Sequence, residues 1–290
     1  MSQRLPAMTS GRRAFVGAVF ATAALQSMRA VADEALIRIG MIPDAGATQV
    51  SVEEKAPLQA YLSKALKRPV RLVIPTNYNA TVEGLGNGSL DVAYLGGLTY
   101  IKAHQQYGAV PLVQREADRQ FHALFITQAA SSIHSLQDLK GKTFAFGDIN
   151  STSGHLIPYQ DMKSAGINPD RDLRFRYTGS HAATVKAVET GAVDAGACDE
   201  TVFKEMIASG KADAAKLRVF ATSAPFADYV WAARPGLDAA TQQAIIRAFT
   251  NLTPENDKSI LDILRGTKFV PATDAEYATV RNIARSLKML

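Results

Sequence analysis

The 290-residue sequence contains a single cysteine, Cys198, so the chain cannot form an internal disulfide and must be stabilised by its core alone. A lone cysteine is most often a small buried apolar residue. The alternative role for Cys198 is that of a soft ligand, because a thiolate can bind a thiophilic solute such as trivalent arsenic.

The sequence also lacks a broad excess of positive charge. Lysine and arginine number 32 against 27 acidic residues, but four of the arginines and none of the acids lie in residues 1–32. The rest of the chain carries 28 basic and 27 acidic residues. This balance argues against nucleic acid as a partner.

Motifs of common enzyme classes are missing as well. The sequence has no G-x-G-x-x-G, no phosphate-loop lysine and no G-x-S-x-G nucleophile turn. His104, His122 and His134 have no metal-ligand spacing, which favours core or surface roles for them. We therefore expect neither catalysis nor a metal or other cofactor.

Residues 1–32 have the composition of a targeting segment. Arg12 and Arg13 precede an apolar run that is too short for a stable membrane anchor, and small residues at 30–32 form a cleavage site before Asp33. The arginine pair is typical of a twin-arginine signal, and an ordinary secretory signal is the alternative. Either route predicts export to the periplasm with cleavage after about Ala32.

The body of the sequence alternates strand-like and helix-like patterns. The stretches "ALIRIGMIP" and "VRLVIP" are predicted strands, and between them Leu58, Leu62 and Leu66 recur at the four-residue spacing of a helix. The same alternation begins again at "SLQDLKGKTFAFGD". This order predicts an α/β fold of mostly parallel sheets flanked by helices.

Two stretches that lie 103 residues apart resemble each other. "YNATVEGLGNGSLDVAYLG" begins at Tyr78 and "HAATVKAVETGAVDAGACD" begins at His181, which aligns Gly88 with Gly191. Each is predicted to form a helix, a glycine turn and a short strand. The repeat favours two lobes of like topology in which Tyr78 and His181 occupy matching helix starts, and chance similarity is the alternative.

Three hydroxyl residues, Ser151, Thr152 and Ser153, follow the predicted strand "TFAFGD". In open α/β sheets ligands bind beyond the carboxyl ends of the strands, where the first turn of a helix offers free N–H groups and partial positive charge. Hydroxyl donors at this place suit a small tetrahedral oxyanion bound by neutral donors, without lysine or arginine. The alternative is a helix cap with spare serines.

The sequence resembles the periplasmic solute-binding proteins of phosphonate, phosphite and phosphate ABC importers. The resemblance rests on "NYNATVEGLGNGSLDVAYLGG", "DLKGKTFAFGDINSTSGHLIP", "YTGSHAATVKAVETGAVDAGA" and "APFADYVWAARPGL", whose spacing spans nearly all of the chain after the targeting segment. Two further stretches, "VPLVQREADRQFHALFI" and "ILDILRGTKFVPATDAEY", are similar to a branch of this family labelled putative selenate binders.

The resemblance implies a two-lobed clam-shell of the type II-like periplasmic binding fold. One lobe would comprise residues 34–125 and 226–290 and the other residues 127–223, with a hinge near 125–127 and 223–226. Such a protein would capture phosphonate, phosphite, phosphate or selenate between its lobes. It would act as a monomer that delivers the anion to the permease and ATPase complex of an ABC importer in the inner membrane.

The resemblance also implies which residues line the pocket: Tyr78, Tyr94, Ser151, Thr152, Ser153, His181 and Asp228. His155 and Cys198 are further candidates for ligand contact. A second family acid matches Asp199 or Glu200 only loosely, because the sequence departs from the family pattern there.

Carboxylates beside an oxyanion require a protonated ligand oxygen or a ligand amine as donor, because a fully ionised dianion would be repelled. Asp228 therefore counts against selenate, which is the dianion of a strong acid. From the helix start at His181 we expect ligand and proton to bind cooperatively, so that affinity rises as the pH falls through the imidazole range.

Two other functions stay open at this point. A sensor protein of the same fold would present its closed form to a membrane histidine kinase, and Cys198 as an arsenite ligand would favour that role. An exported hydrolase is the more distant alternative.

Overall fold

The computed structural model describes residues 36–44 and 52–290, together with Met1. The predicted targeting segment, residues 1–32, lies outside the described residues apart from Met1. None of the helices in the described ranges combines the length and the apolar composition that a membrane crossing requires.

The described strands form two sheets. In chain order they are β1 (Ile37–Met41), β2 (Val70–Val73), β3 (Val92–Leu95), β4 (Val110–Arg115), β5 (Ala123–Gln128), β6 (Thr143–Phe146), β7 (Arg174–Tyr177), β8 (Ala195–Asp199), β9 (Leu217–Thr222), β10 (Val230–Ala233) and β11 (Phe269–Pro271). The first sheet has the order β11-β4-β10-β3-β1-β2, and the second has the order β7-β6-β8-β5-β9.

Both sheets are mixed. In the first, β1 pairs in parallel with β2 and with β3. Strand β10 is antiparallel to both of its neighbours, β3 and β4. At the edge of this sheet, β11 is antiparallel to β4. In the second, β6 pairs in parallel with β7 and β8, while β5 is antiparallel to β8 and β9. The parallel strands come from the predicted alternation of strand and helix. The antiparallel pairings arise where the chain enters or leaves a sheet.

Helices cover the sheets. Those in the described ranges are α1 (Ala56–Leu66), α2 (Tyr78–Gly86), α3 (Gly97–Tyr107), α4 (Ile157–Ser164), α5 (Pro169–Asp172), α6 (His181–Glu189), α7 (Glu200–Ala208), α8 (Ala239–Thr250), α9 (Lys258–Leu264) and α10 (Ala278–Ser286). Short 3₁₀ turns occupy Glu116–Gln120, Leu136–Leu139, Ala214–Lys216 and Asp274–Tyr277, and a π turn occupies Thr152–Leu156.

Each sheet carries its own core. On the first, the leucines of α1 that recur at four-residue spacing, Leu58, Leu62 and Leu66, are buried in one apolar cluster with the strand residues. On the second, Phe144 and Ala145 belong to two different clusters. Successive side chains of a strand point to opposite faces, so helices cover both faces of this sheet.

The chain crosses between the sheets twice, and the two connections lie side by side. Phe121 and Phe226 exchange both backbone hydrogen bonds, at 2.9 and 3.0 Å, and Ser223 N–H donates to the Ala123 carbonyl at 3.0 Å. The first connection lies between β4 and β5, at residues 116–122. The predicted hinge segments 125–127 and 223–226 lie close to these two connections, and a hinge motion there stays a prediction.

The internal repeat is confirmed by the two helices that begin at Tyr78 and His181. Both are nine residues long. Their N-caps, Asn77 and Ser180, have extended backbone and accept the N–H three residues later at 2.8 and 3.2 Å. Each cap thus satisfies one of the free N–H groups at the helix start.

The repeat extends to the turns that follow these helices. Gly88 and Gly191 have φ of +75° and +71°, a conformation that favours glycine. Asp91 then accepts a backbone N–H from β1 at 2.9 Å, and Asp194 accepts one from β6 at 2.7 Å. The two lobes therefore present β3 and β8 in the same way, with their carboxyl ends facing the cleft between the sheets.

Candidate functional site

The helices that follow β3 and β8 begin at matching positions but are capped differently. Asp199 is the N-cap of α7 and accepts the Val202 N–H at 2.9 Å. The matching N-cap of α3 is Gly96, which has no side chain. In its place Asp228, just before β10, accepts the Gly97 N–H at 2.8 Å through Oδ1.

Gly96 leaves room for two side chains at this helix start. A Cβ atom there would lie 3.3 Å from Asp228 Oδ1 and 3.2 Å from Thr152 Oγ1. Both distances are tighter than ordinary van der Waals contact. The absence of a side chain thus allows Asp228 and Thr152 to reach the first turn of α3 together.

The hydroxyl turn joins the two lobes. Ser151 is its N-cap and accepts the Gly154 N–H at 3.0 Å. Thr152 Oγ1 accepts the Leu98 N–H of the first lobe at 3.0 Å, and its hydroxyl donates to Asp228. Thr152, predicted to face the ligand, therefore bonds across the cleft, and the capping role considered for the serines is present as well.

His181 is a neutral donor at the start of α6. Its Nδ1 accepts the Asp199 N–H at 3.2 Å, so the proton of the neutral imidazole lies on Nε2. Nε2 is 3.5 Å from Ser151 Oγ and 3.4 Å from Tyr229 Oη, contacts long enough to leave this N–H available to a ligand. Burial lowers the pKa of His181, so its titration lies below the usual imidazole range.

Asp199, rather than Glu200, lies in the site. Tyr229 Oη donates to Asp199 Oδ2 at 2.6 Å across the cleft. Burial acts to raise the pKa of Asp199, but the neighbouring groups, above all His181, outweigh it and keep the pKa below its usual value. Glu200 instead bonds the His122 N–H at 3.1 Å and the Lys204 Nζ at 2.6 Å, near the connections between the sheets.

Further hydrogen bonds hold each repeat helix against the opposite lobe. The His181 N–H donates to the Asp44 carbonyl at 3.0 Å, and the Tyr78 N–H donates to the Asp148 carboxylate. Neither aspartate was predicted, although "MIPD" and "FGD" place one shortly after β1 and β6 in both lobes. With the Thr152 and Tyr229 contacts, these bonds link the two lobes across the cleft.

Five buried side-chain atoms in the described residues have no hydrogen-bond partner: Tyr78 Oη, Tyr94 Oη, Asp228 Oδ2, Gln114 Nε2 and Arg265 Nη1. Three of them belong to predicted pocket residues. A buried polar atom without a partner costs about 1–3 kcal/mol, so such atoms are rare and call for an explanation. A bound molecule with complementary polar atoms would supply the missing hydrogen bonds.

Aromatic stacking holds one of these groups in place. The ring of Tyr94 stacks on that of Tyr229, with centroids 4.9 Å apart and planes 7° apart, and Trp231 packs beside it at 5.0 Å. The Arg115 guanidinium lies 5.2 Å from the centroid of the Tyr229 ring. The Tyr94 hydroxyl is therefore positioned by rigid neighbours even though no side chain bonds it.

The carboxyl of Asp228 titrates near neutral pH, so both its protonated and its ionised form are populated there. Burial raises its pKa to about 7, and the hydrogen bonds from the Gly97 N–H and the Thr152 hydroxyl offset this only in part. Because Oδ1 already accepts these bonds, the proton belongs on Oδ2, the atom without a partner. Asp228 can therefore donate to an anion when protonated and accept from a ligand hydroxyl when ionised.

His155 is not brought to the cleft. Its Nδ1 donates to the Ile149 carbonyl at 2.7 Å, and its Nε2 accepts from the Tyr177 hydroxyl at 3.0 Å. Its ring packs on Phe146, with centroids 5.0 Å apart. Burial lowers the pKa of His155 to about 4. This histidine therefore packs within the second lobe and makes no contact with the cleft.

Cys198 points away from the cleft. It lies in β8 beside Asp199, and the alternation of the strand sends its side chain to the opposite face, into the apolar cluster that contains Leu124 and Val185. Burial raises the pKa of its thiol well above the usual value. Cys198 is therefore a small buried apolar residue. It makes no contact with the cleft, where an arsenite sensor would need its thiolate.

Together, two sheets joined by paired connections and a closed polar cleft between them define a substrate-binding protein of the two-lobed class. Residues 39–277 match the family of ABC transporter, phosphonate, periplasmic substrate-binding proteins, and the chain belongs to this family. It is thus a binding protein and not an enzyme. The predicted family and α/β fold are confirmed.

Individual relatives agree. A probable ABC transporter phosphite-binding protein from Prochlorococcus marinus (strain MIT 9301) is 28% identical over 271 residues, which cover 88% of this chain and 91% of that protein. A phosphate-import protein from Mycolicibacterium smegmatis is 28% identical over 253 residues, 78% of each chain. The solved structure of the Prochlorococcus marinus protein with methylphosphonate superposes with a TM-score of 0.82, at 28% identity, over 88% of this chain and 99% of that one.

The raised pKa of Asp228 predicts how stability depends on pH. Its folded pKa of about 7 exceeds the ordinary value of 3.8, so the folded state holds more protons between these values. Stability of the ligand-free protein should therefore fall as the pH rises from about 4 to about 7, with a slope of at most about 1.4 kcal/mol per pH unit from this group.

Asp228→Asn should remove that contribution. Urea denaturation of the wild type and Asp228→Asn at several pH values measures the difference. A constant difference between the two proteins across this range would show that Asp228 is ionised throughout.

Proposed function

We propose that the chain captures a small tetrahedral phosphorus oxyanion, namely phosphonate, phosphite or phosphate, between its lobes. The observation that carries this proposal is the group of buried atoms without partners at Tyr78, Tyr94 and Asp228. They offer hydroxyl donors and one carboxyl, which together match an anion that has several acceptor oxygens. Family membership and the phosphite, phosphate and methylphosphonate named for the relatives support the same class of ligand.

The donors around the proposed ligand are mostly neutral. His181 offers Nε2–H, the serines of the hydroxyl turn offer O–H groups, and the first turns of the helices offer backbone N–H groups. The ligand and Asp228 then share one proton. A monoanion with a hydroxyl donates to ionised Asp228, whereas a dianion accepts from protonated Asp228. Selenate fits only the second arrangement, and it remains a prediction carried by the sequence resemblance alone.

In the cell, this function requires export and a membrane partner. Residues 1–32 would direct the chain to the periplasm, with cleavage after about Ala32 by the twin-arginine or the general secretory route. The closed, liganded monomer would then deliver its anion to the permease and ATPase complex of an ABC importer.

A thermal-shift panel on the protein without residues 1–32 tests the ligand class. The panel contains methylphosphonate, phosphite, phosphate, selenate, sulfate and arsenite. A ligand at one hundred times its dissociation constant should stabilise the protein by about 2.7 kcal/mol, so a phosphorus anion should give a large shift. A shift with selenate or arsenite and none with the phosphorus anions would contradict the proposal.

Tyr78→Phe and Tyr94→Phe isolate the hydroxyls that have no partner in the ligand-free protein. Each change should weaken binding of the best phosphorus anion by about 1.5–3 kcal/mol, the range for hydrogen bonds to a charged group. The melting temperature without ligand should change little, because neither hydroxyl bonds another group of the described residues. Calorimetry and thermal melts measure the two effects.

Tyr277→Phe is the matched control for the tyrosine variants. Tyr277 is fully buried in the first lobe, and its hydroxyl donates to Gln114 Oε1 at 2.9 Å. Its loss should lower stability by about 1 kcal/mol and leave affinity unchanged. Wild-type affinity in both Tyr78→Phe and Tyr94→Phe would remove these hydroxyls from the site.

The pH dependence of affinity should follow Asp228 rather than His181. Affinity for a dianion that does not titrate near neutrality, selenate or sulfate, should fall as the pH rises through about 7, because Asp228 loses the proton that it donates. Asp228→Asn should abolish the dependence. His181→Gln should preserve it, since burial keeps the imidazole neutral. The opposite pattern in calorimetry would restore His181 as the titrating group.

Capture should be accompanied by lobe closure about the paired connections. Small-angle scattering should give a smaller radius of gyration with a saturating anion than without it. Thr152→Ala should reduce the compaction, because it removes the bonds to the Leu98 N–H and to Asp228. Identical scattering curves of the wild type in both conditions would mean that the protein is closed before it binds.

A further inference from the structure

Arg265, whose side chain is 16% exposed, lies at the edge of the cleft, where the sequence pattern gave no reason to expect a cation. Arg265 follows α9 as its C-cap, with a left-handed backbone at φ 52°. This position usually carries glycine or asparagine, and here glycine comes one residue later, at Gly266. The left-handed backbone ends α9 at this residue and lets the chain turn toward Gly266.

The guanidinium contacts a carboxylate of each lobe. Nη2 bonds Asp44 in the first lobe, and Nη1 lies 3.6 Å from Glu205 Oε2 on α7 of the second lobe. Nη1 is buried and has no hydrogen-bond partner. The planar guanidinium can hold two carboxylates at once, which a lysine cannot do in the same geometry.

Both partners of Arg265 are tied to the ligand site. The Asp44 carbonyl accepts the His181 N–H across the cleft, and Glu205 lies on the helix that begins at Asp199. Any movement that brings Asp199 to Tyr229 therefore carries Glu205 toward Arg265 as part of the same rigid helix.

The surrounding charges fit an ion pair between lobes. Lys55 belongs to the same cluster: burial lowers its pKa, and the charges of Asp44, Arg265 and Glu205 all act on it. The Arg265 carbonyl accepts from Arg115 Nη1 at 3.0 Å, which fixes the turn that carries the guanidinium. The cationic group is thus held by the first lobe, while Glu205, whose side chain is 46% exposed, comes from the second.

We propose that Arg265 is a closure residue. Anchored to the first lobe through Asp44, it captures Glu205 of the second lobe when the cleft closes on an anion. Part of the affinity then comes from an ion pair outside the ligand pocket. The proposal rests on the proposed function, in which the anion is captured by closure.

A double-mutant cycle tests this role, with methylphosphonate and phosphite as probes in calorimetry. Glu205→Gln should weaken binding about three- to five-fold, the upper range for a partly exposed ion pair. Arg265→Gln should weaken it further, and the double variant should bind no worse than Arg265→Gln alone. In thermal melts without ligand, Glu205→Gln should have no effect, because the pair forms only on closure.

Glu189→Gln is the matched control. Glu189 and Lys186 form an ion pair at 2.6 Å within α6, outside the connections between the sheets, so the same chemical change should leave affinity unchanged. If Arg265→Gln does not fold, Arg265→Lys replaces it. A lysine lacks the rigid fork of donors that spans Asp44 and Glu205, so Glu205→Gln should then cost less affinity than it does in the wild type.

The outcomes separate this proposal from the proposed function. Wild-type affinity in Glu205→Gln, or additive effects in the cycle, would overturn the closure role of Arg265 while the binding function stands. Equal coupling in the ligand-free melts would show a purely structural pair and also overturn it. Failure of the wild type to bind either probe would count against the proposed function and, with it, against this proposal.

Discussion

A buried carboxyl group needs hydrogen bonds from the protein in place of those from water, and Asp228 receives them from both lobes. Its Oδ1 accepts from the start of α3 in the first lobe and from Thr152 in the second. The segment that carries it is one of the two connections between the sheets. One side chain therefore links the connection, a helix start and the hydroxyl turn, and its remaining oxygen faces the cleft without a partner.

The two lobes apply the same local chemistry in different ways. Each presents a strand end, a capped helix and a glycine turn at a constant offset of 103 residues. In the second lobe Asp199 caps the helix after its strand, whereas the first lobe borrows Asp228 from elsewhere in the chain. The borrowed cap depends on Gly96 having no side chain. A local interaction in one lobe is thereby a long-range interaction in the other.

The sequence was sufficient for features that arise from local patterns. Periodicity and turn residues predicted the α/β alternation, and the repeat placed Tyr78 and His181 at matching helix starts. It was insufficient where long-range packing decides. The register of β8 sends Cys198 into the core and Asp199 toward Tyr229, whereas the departure from the family pattern left both Asp199 and Glu200 as candidates. Arg265 could not be found because its partners, 60 and 221 positions away, meet it only in the fold.

The protonation states of His181 and Asp228 could not be predicted from the sequence, because they depend on burial in the fold. The expectation that His181 supplies the pH dependence weighed the helix start against a bound anion but not burial, and complete burial favours the neutral imidazole. Burial raises the pKa of Asp228 instead of lowering it, because the neutral form of a carboxyl is the protonated one. Burial thus moves the pKa of His181 away from neutrality and brings the pKa of Asp228 close to it.

The paired connections between the sheets have a mechanical consequence. Four backbone hydrogen bonds, Phe121 with Phe226 in both directions, Ser223 with Ala123 and Asp228 with Asp118, make them a short antiparallel ribbon. A ribbon of this kind bends easily out of its plane but resists sliding of one strand along the other, since sliding breaks every rung. In the proposed closure, the lobes would therefore approach each other along one arc, and polar atoms of the two lobes would meet in the same relative positions each time.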